Sequence, residues 1–194
     1  MVKLVQGVGI IGSRYKITDG GKMLLEYDYW KGLLRRCYDG KLHEKYATYR
    51  NCTCSDNFKC YEYFYEWCNK QVGFGNKGWH LDKDLLVKGN KLYSEYTCVF
   101  LPREINSLLI KRCNERGDYP IGVMWHKATN KFTSQVSVKG KQKHLGLFNN
   151  QYDAFIAYKI AKESYLKELA NEWQGKIDER AYRALINYQV EITD

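Results

Sequence analysis

The sequence predicts an α+β fold: a ββα core with flanking helices, followed by a three-stranded antiparallel sheet packed on one helix. Three observations lead there. Phe132 to Val138 alternates, with apolar or small residues at 132, 134, 136 and 138, so a strand buries one face and exposes the other. Beyond Gln151, the residues Ala154, Ala157 and Ala161 repeat at helical spacing, and small side chains let a helix lie close on a sheet. Earlier, Trp79 to Arg112 reads as strand, turn, strand, helix.

Residues 1 to about 27 hold glycine-rich turns and apolar pairs, which predicts a hairpin or irregular arm. A helix is expected from Asp28 as its cap, with Trp30, Leu33, Leu34 and Cys37 as the buried stripe. Lys31, Arg35 and Arg36 take the remaining surface, followed by Lys41, Lys45 and Arg50. Such a run is either a solvated face or a set of phosphate contacts, with Arg35 and Arg36 as the candidates.

Asn57 to Cys68 predicts a second helix, in which Phe58, Tyr61, Tyr65 and Cys68 share a face beside Phe64 and Trp67. Stacking of bases on these rings is the alternative to core packing, and core packing is the stronger reading. Cys52, Cys54, Cys60 and Cys68 lie near this helix. Structural zinc usually takes two clusters of cysteines spaced two to four apart, so the tight Cys52-x-Cys54 pair disfavours it.

The next segment predicts a strand from Trp79 to Val87, a turn at Lys88-Gly89-Asn90, and a second strand from Leu92 to Leu101 interrupted at Ser94-Glu95. Pro102 suits the first position of a helix through Ile105, Leu108 and Leu109. Alternation puts His80, Asp82 and Asp84 on one strand face, with Asn106 one turn into the helix. Clustered carboxylate, carbonyl and imidazole groups suit a hard divalent ion, which stabilises charge on a scissile phosphate. The alternative is a surface ion-pair cluster of Asp82, Lys83 and Asp84.

In the last third, Thr129-Asn130 and Lys139-Gly140 predict turns, and Thr133, Gln135, Ser137 and Lys139 line the polar sheet face. No Asp or Glu occurs between Tyr119 and Tyr152, whereas Lys127, Lys131, Lys139, Lys141, Lys143, His126 and His144 do. A basic, polar sheet face matches nucleic acid. Phe155, Tyr158 and Tyr165 seal the helix contact; a short helix near Glu179 to Asn187 and an edge strand at Gln189 to Ile192 close the chain.

Two resemblances add to this reading. Ile121-Gly122-Val123, Lys131-Phe132, Leu145-Gly146-Leu147-Phe148, Tyr152-Asp153-Ala154 and Ala157-Tyr158 resemble the Apetala-type (ethylene-response-factor) DNA-binding domain. The resemblance implies that the sheet's outer face lies in the major groove of double-stranded DNA. It places Met124, His126, Gln135, Ser137, Gln142 and His144 on that face, with Lys131, Lys139, Lys141 and Lys143 as basic contacts. The family's arginines are absent from these positions, and arginine makes the commonest contact to guanine. Leu81-Asp82-Lys83-Asp84, Lys88-Gly89-Asn90, Tyr93-Ser94, Thr97-Cys98-Val99-Phe100 and Ile105-Asn106 resemble a divergent HNH (ββα-metal) endonuclease core of the phage and mobile-element kind. Trp30, Leu33, Leu34, Arg36, Cys37 and Tyr38 resemble the segment preceding such cores.

Together these imply two domains, residues 1–117 and 118–194, and a homing-type DNA endonuclease. Asp82, Asp84 and Asn106 would hold Mg²⁺ or Mn²⁺, with His80 or Lys83 assisting the water. Lys83 stands where the family has the histidine base, and lysine is a poor base at neutral pH. The alternative is a DNA-binding protein without cleavage, acting as a regulator or binding a host defence protein as its antagonist. A symmetric double-strand cut requires a homodimer or two successive nicks.

A net charge of +9, 44% hydrophobic and 15% aromatic residues fit a folded chain with an anionic partner. No apolar run of membrane-spanning length and no secretory leader is evident. Seven cysteines in such a chain are expected as free thiols in the cytoplasm of a bacterial host. Asn51-Cys52-Thr53 matches a glycosylation acceptor that this setting leaves unused.

Overall fold

The computed structural model describes residues 4–110 and 118–194. Contacts divide the chain into two compact units, Met1–Arg103 with Lys176–Ala181, and Glu104–Gly175 with Tyr182–Asp194. The expected division at 117/118 falls at the edge of residues 111–117, which include Arg112 and Cys113 and lie outside the described residues.

The first unit opens with an arm and a short hairpin, β1 (Thr18–Asp19) and β2 (Lys22–Met23), turned by Gly20-Gly21. Helix α1 (Leu25–Tyr38) starts three residues before the expected cap. Asp28 lies inside the first turn, where with Glu26 it complements the helix dipole, as Arg35 and Arg36 do at the other end. The expected stripe is real: Trp30, Leu33, Leu34 and Cys37 are buried. Asp39 then caps α2 (Gly40–Lys45), accepting the N–H of Leu42 at 3.2 Å.

The single helix expected over 57–68 is two. Strand β3 (Thr53–Cys54) leads to α3 (Asp56–Lys59), capped by Ser55, and then α4 (Tyr61–Cys68). Cys60 between them is extended because the N-terminal arm bonds there. The N–H of Ile10 donates to Lys59 O, and Ile10 O accepts from Tyr61 N, each at 2.9 Å. Phe58, Tyr61, Phe64, Trp67 and Cys68 are buried with the α1 stripe in one aromatic core. Glu62 secures the arm further by accepting the N–H groups of Ser13 and Arg14.

Strand β4 (Trp79–Asp82) follows, then β5 (Leu92–Tyr93), parallel to β3, and β6 (Val99–Pro102), antiparallel to β4. Pro102 ends the strand rather than opening the helix, and α5 (Arg103–Leu109) starts one residue later. The expected strand to Val87 stops at Asp82, since Asp82 Oδ1 captures the N–H groups of Asp84 and Leu85 at 2.9 and 2.8 Å. Side-chain capture of this kind diverts backbone from a ladder into a turn.

The second unit carries the expected sheet: β7 (Val123–His126), β8 (Lys131–Val138) and β9 (Lys141–Phe148), antiparallel in that order. Its inner face packs on α6 (Gln151–Glu172), capped by Asn150, and Val123 and Val136 are buried with Ala154, Phe155 and Tyr158. Gly122 makes this contact feasible. Its φ of +78° is left-handed, and a β-carbon there would lie 2.0 Å from the Tyr158 ring. Helix α7 (Glu179–Ile186) matches expectation. Residues 189–192 form no strand; instead Val190 N donates to Glu163 and Val190 O accepts from Lys159 on α6.

Candidate nucleic-acid interface

Cross-strand partners share a face, so the register fixes what the outer surface presents. Met124 pairs with Thr133 and Thr133 with Leu147; His126 pairs with Lys131, Gln135 with His144, and Ser137 with Gln142. All of these lie opposite the α6 side. The six residues expected on the reading face, Met124, His126, Gln135, Ser137, Gln142 and His144, are therefore together, joined by Lys131.

A β-bulge makes this possible. The register shifts between Ser134 and Gln135, whose partners are Gly146 and His144, so Leu145 is the extra residue. Simple alternation would put His144 and Phe148 on one face. The bulge sends Phe148 inward to the core and brings Leu147 outward, 40% exposed. Gly146, at φ +139°, supplies the backbone freedom.

The two imidazoles on this face are oriented alike. His126 Nδ1 lies 2.8 Å from Thr129 Oγ1, and His144 Nδ1 lies 3.2 Å from Thr133 Oγ1. Neither Nε2 has a hydrogen-bond partner among the described residues. Each ring thus has one nitrogen fixed by a threonine and one able to meet a base edge or phosphate. Of the two orienting threonines, only Thr129 carries a local mark in the sequence. A threonine three residues after a turn histidine is a usable signal, but the cross-strand pair depends on register.

The lysines divide. Lys131 is exposed on the outer face, and Lys127 is exposed in the turn beyond it. Lys139 leaves that face, because the turn puts it at φ +49° with its amine 3.1 Å from Glu172 on α6 and its N–H on Tyr165 Oη. Lys141 and Lys143 pair with Val138 and Val136, so both start from the α6 side of the sheet, exposed along the edge strand β9.

In the first unit the expected metal-site residues fall differently. His80 is exposed on β4, while Asp84 lies two residues past its end and off the strand face. Burial raises the Asp82 carboxyl from its ordinary value, and the charge of Asp84 adds to this against the two backbone N–H bonds. Lys83 is buried, with its amine on the Asp84 carboxylate and 2.6 Å from Asn90 O, above the Tyr93 ring. The Asn90 amide closes the same loop by donating to Lys83 O and Leu92 O. Lys83 is thus a buckle of the 83–92 loop. Asn106, half-buried on α5, belongs to the second unit. No group of three His, Cys, Asp or Glu side chains that could hold a metal ion occurs among the described residues.

Arg36 is also committed: its Nε donates to Tyr93 Oη at 3.0 Å and its guanidinium covers that ring. Arg35 is exposed beside Asp39. Cys37, Cys52, Cys54, Cys60, Cys68 and Cys98 are free thiols. A hydrogen bond from Cys37 holds the Cys54 thiol down to about 7, assisted by the Tyr38 hydroxyl 3.4 Å away. No helix among the described residues is long and apolar enough to cross a membrane.

No family profile, curated protein or solved structure matches this chain.

Proposed function

We propose that the chain binds double-stranded DNA through the outer face of the β7–β9 sheet, without cleaving it. One observation carries the reading. Met124, His126, Lys131, Gln135, Ser137, Gln142 and His144 converge on one face of a segment that has no Asp or Glu between Tyr119 and Tyr152. The major groove admits a β-ribbon, and glutamine and imidazole groups can read base edges there. Lys131 meets phosphate from the face itself. Lys141 and Lys143 stand on an edge strand, where a sheet seated in the groove meets the flanking backbone.

The endonuclease reading requires Asp82, Asp84 and Asn106 to hold Mg²⁺ or Mn²⁺. The donor set does not fit that ion as arranged: the Lys83 ammonium already occupies Asp84, and two backbone N–H groups occupy Asp82 Oδ1. The occupied donors support the reading as a binder, whose proposed role is that of a regulator or an antagonist of a host defence protein.

Incubation of the full chain with supercoiled and linear DNA, with Mg²⁺, Mn²⁺ or chelator, tests both readings. Salt-sensitive binding with intact DNA in every condition is the expected result. Discrete metal-dependent nicks that Asp82→Ala abolishes would restore the endonuclease. Absence of binding to any duplex at low salt would overturn the DNA reading altogether.

A further inference from the structure

The outer sheet face is not uniformly polar. Met124, Thr133 and Leu147 form one row across the three strands, at the centre of the face. Met124 is 54% and Leu147 40% exposed, while Thr133 between them is 4% exposed. The polar atom of that buried threonine is engaged by His144 Nδ1. Neighbouring strands stand about 4.8 Å apart, so the two apolar side chains rise about 10 Å from each other over a low floor. On one side of the row lie His126 and Lys131; on the other lie Gln135 and His144.

We propose that this Met124–Thr133–Leu147 row is a seat for thymine C5-methyl groups, making the protein a reader of A·T base pairs. The proposal rests on the DNA reading above. Its argument is chemical complementarity. In the major groove thymine presents the only methyl group of the four bases, and apolar side chains recognise it. The two ends of the row, Met124 and Leu147, are apolar and exposed, and its flanks carry cationic and neutral groups with no carboxylate, so it can approach a duplex without repulsion. Gln135 is two residues along β8 from Thr133 on the same face, and an amide pairs with both the N6 and N7 of adenine. A methyl seat beside an adenine-reading amide fits consecutive A·T pairs. Arginine, one of the two usual guanine readers, is absent from β7, β8 and β9, and the lysine on the face, Lys131, lies on the opposite side of the row from Gln135.

The test is removal of the methyl groups alone. Duplexes enriched from a random-sequence pool by the full chain are resynthesised with uracil for thymine, which leaves every pairing and hydrogen-bonding edge in place. Affinity should fall about fourfold for each seated methyl. The double variant Met124→Ser/Leu147→Ser, at exposed positions, should bind thymine and uracil duplexes equally while retaining the salt dependence of the parent. Equal affinity of the parent protein for both duplexes, or enrichment of G·C-rich sites, would overturn the methyl seat and leave DNA binding standing. Failure to enrich or bind any duplex would overturn the DNA reading with it.

Discussion

Lys162 offers the sharpest energetic prediction. It lies on the buried side of α6 in the second unit, 8% exposed, in line with Tyr158, Tyr165, Leu166 and Leu169. No ion pair or hydrogen bond holds its amine among the described residues. Burial therefore lowers its ammonium from the ordinary 10.5 to about 8. Because the folded value lies below the unfolded one, protonation disfavours the folded state. That cost is full below about pH 8 and disappears as pH rises through the unfolded value. The gap corresponds to about 3 kcal/mol. Lys162→Met keeps the length and apolar stem and removes the charge. At pH 7 it should gain up to about 3 kcal/mol in urea unfolding, or roughly 6–12 °C in Tm for a chain of this size. At pH 10 the same pair of proteins should differ by less than about 1 kcal/mol, since most of the penalty is gone in the parent. A gap that is equal at both pH values would refute the reasoning, as would a loss of stability in Lys162→Met at pH 7.

Three further expectations follow from single contacts. Ser134 Oγ is buried without a hydrogen-bond partner among the described residues, so Ser134→Ala should raise stability by about 1 kcal/mol in chemical denaturation. Gly122→Ala places a β-carbon into the Tyr158 ring at a left-handed φ, and should lower the stability of the second unit by more than about 1 kcal/mol. Among the six described cysteines, Cys54 should alkylate with a rate that climbs through pH about 7. Cys37→Ala, which removes the donor altogether, should move that profile to higher pH; mass mapping of the labelled peptide reads both.

Where local pattern sufficed, the sequence was legible. The alternation at Phe132–Val138, the Ala154 contact and the Trp30–Cys37 stripe each depend only on which side of one element is apolar. The errors came from long-range or side-chain events. The break at Cys60 is made by Ile10, fifty residues away in the chain, and no feature of NFKCYEYFYEWC announces it. The end of β4 is set by one carboxylate oxygen of Asp82 choosing backbone N–H groups, which removed Asp84 from the expected face. Gln189–Ile192 has strand-like composition, but its backbone partners are side chains of α6. On the reading face, identity was legible and orientation was not. His126 and His144 were found by composition, whereas their threonine partners, the outward turn of Leu147 and the withdrawal of Lys139 all depend on the bulge and the turns.

The claim that the outer face of the β7–β9 sheet meets DNA is tested most directly by comparing two lysines on the same strand system. Duplex affinity is measured against salt concentration by fluorescence anisotropy for the parent, Lys131→Ala and Lys139→Ala. Lys131 stands on the face, so its loss should weaken binding and reduce the slope of log affinity against log salt by about 1. Lys139 is held by Glu172 on α6, so its loss should leave the slope unchanged. The reverse pattern, or a slope insensitive to both, would contradict the account.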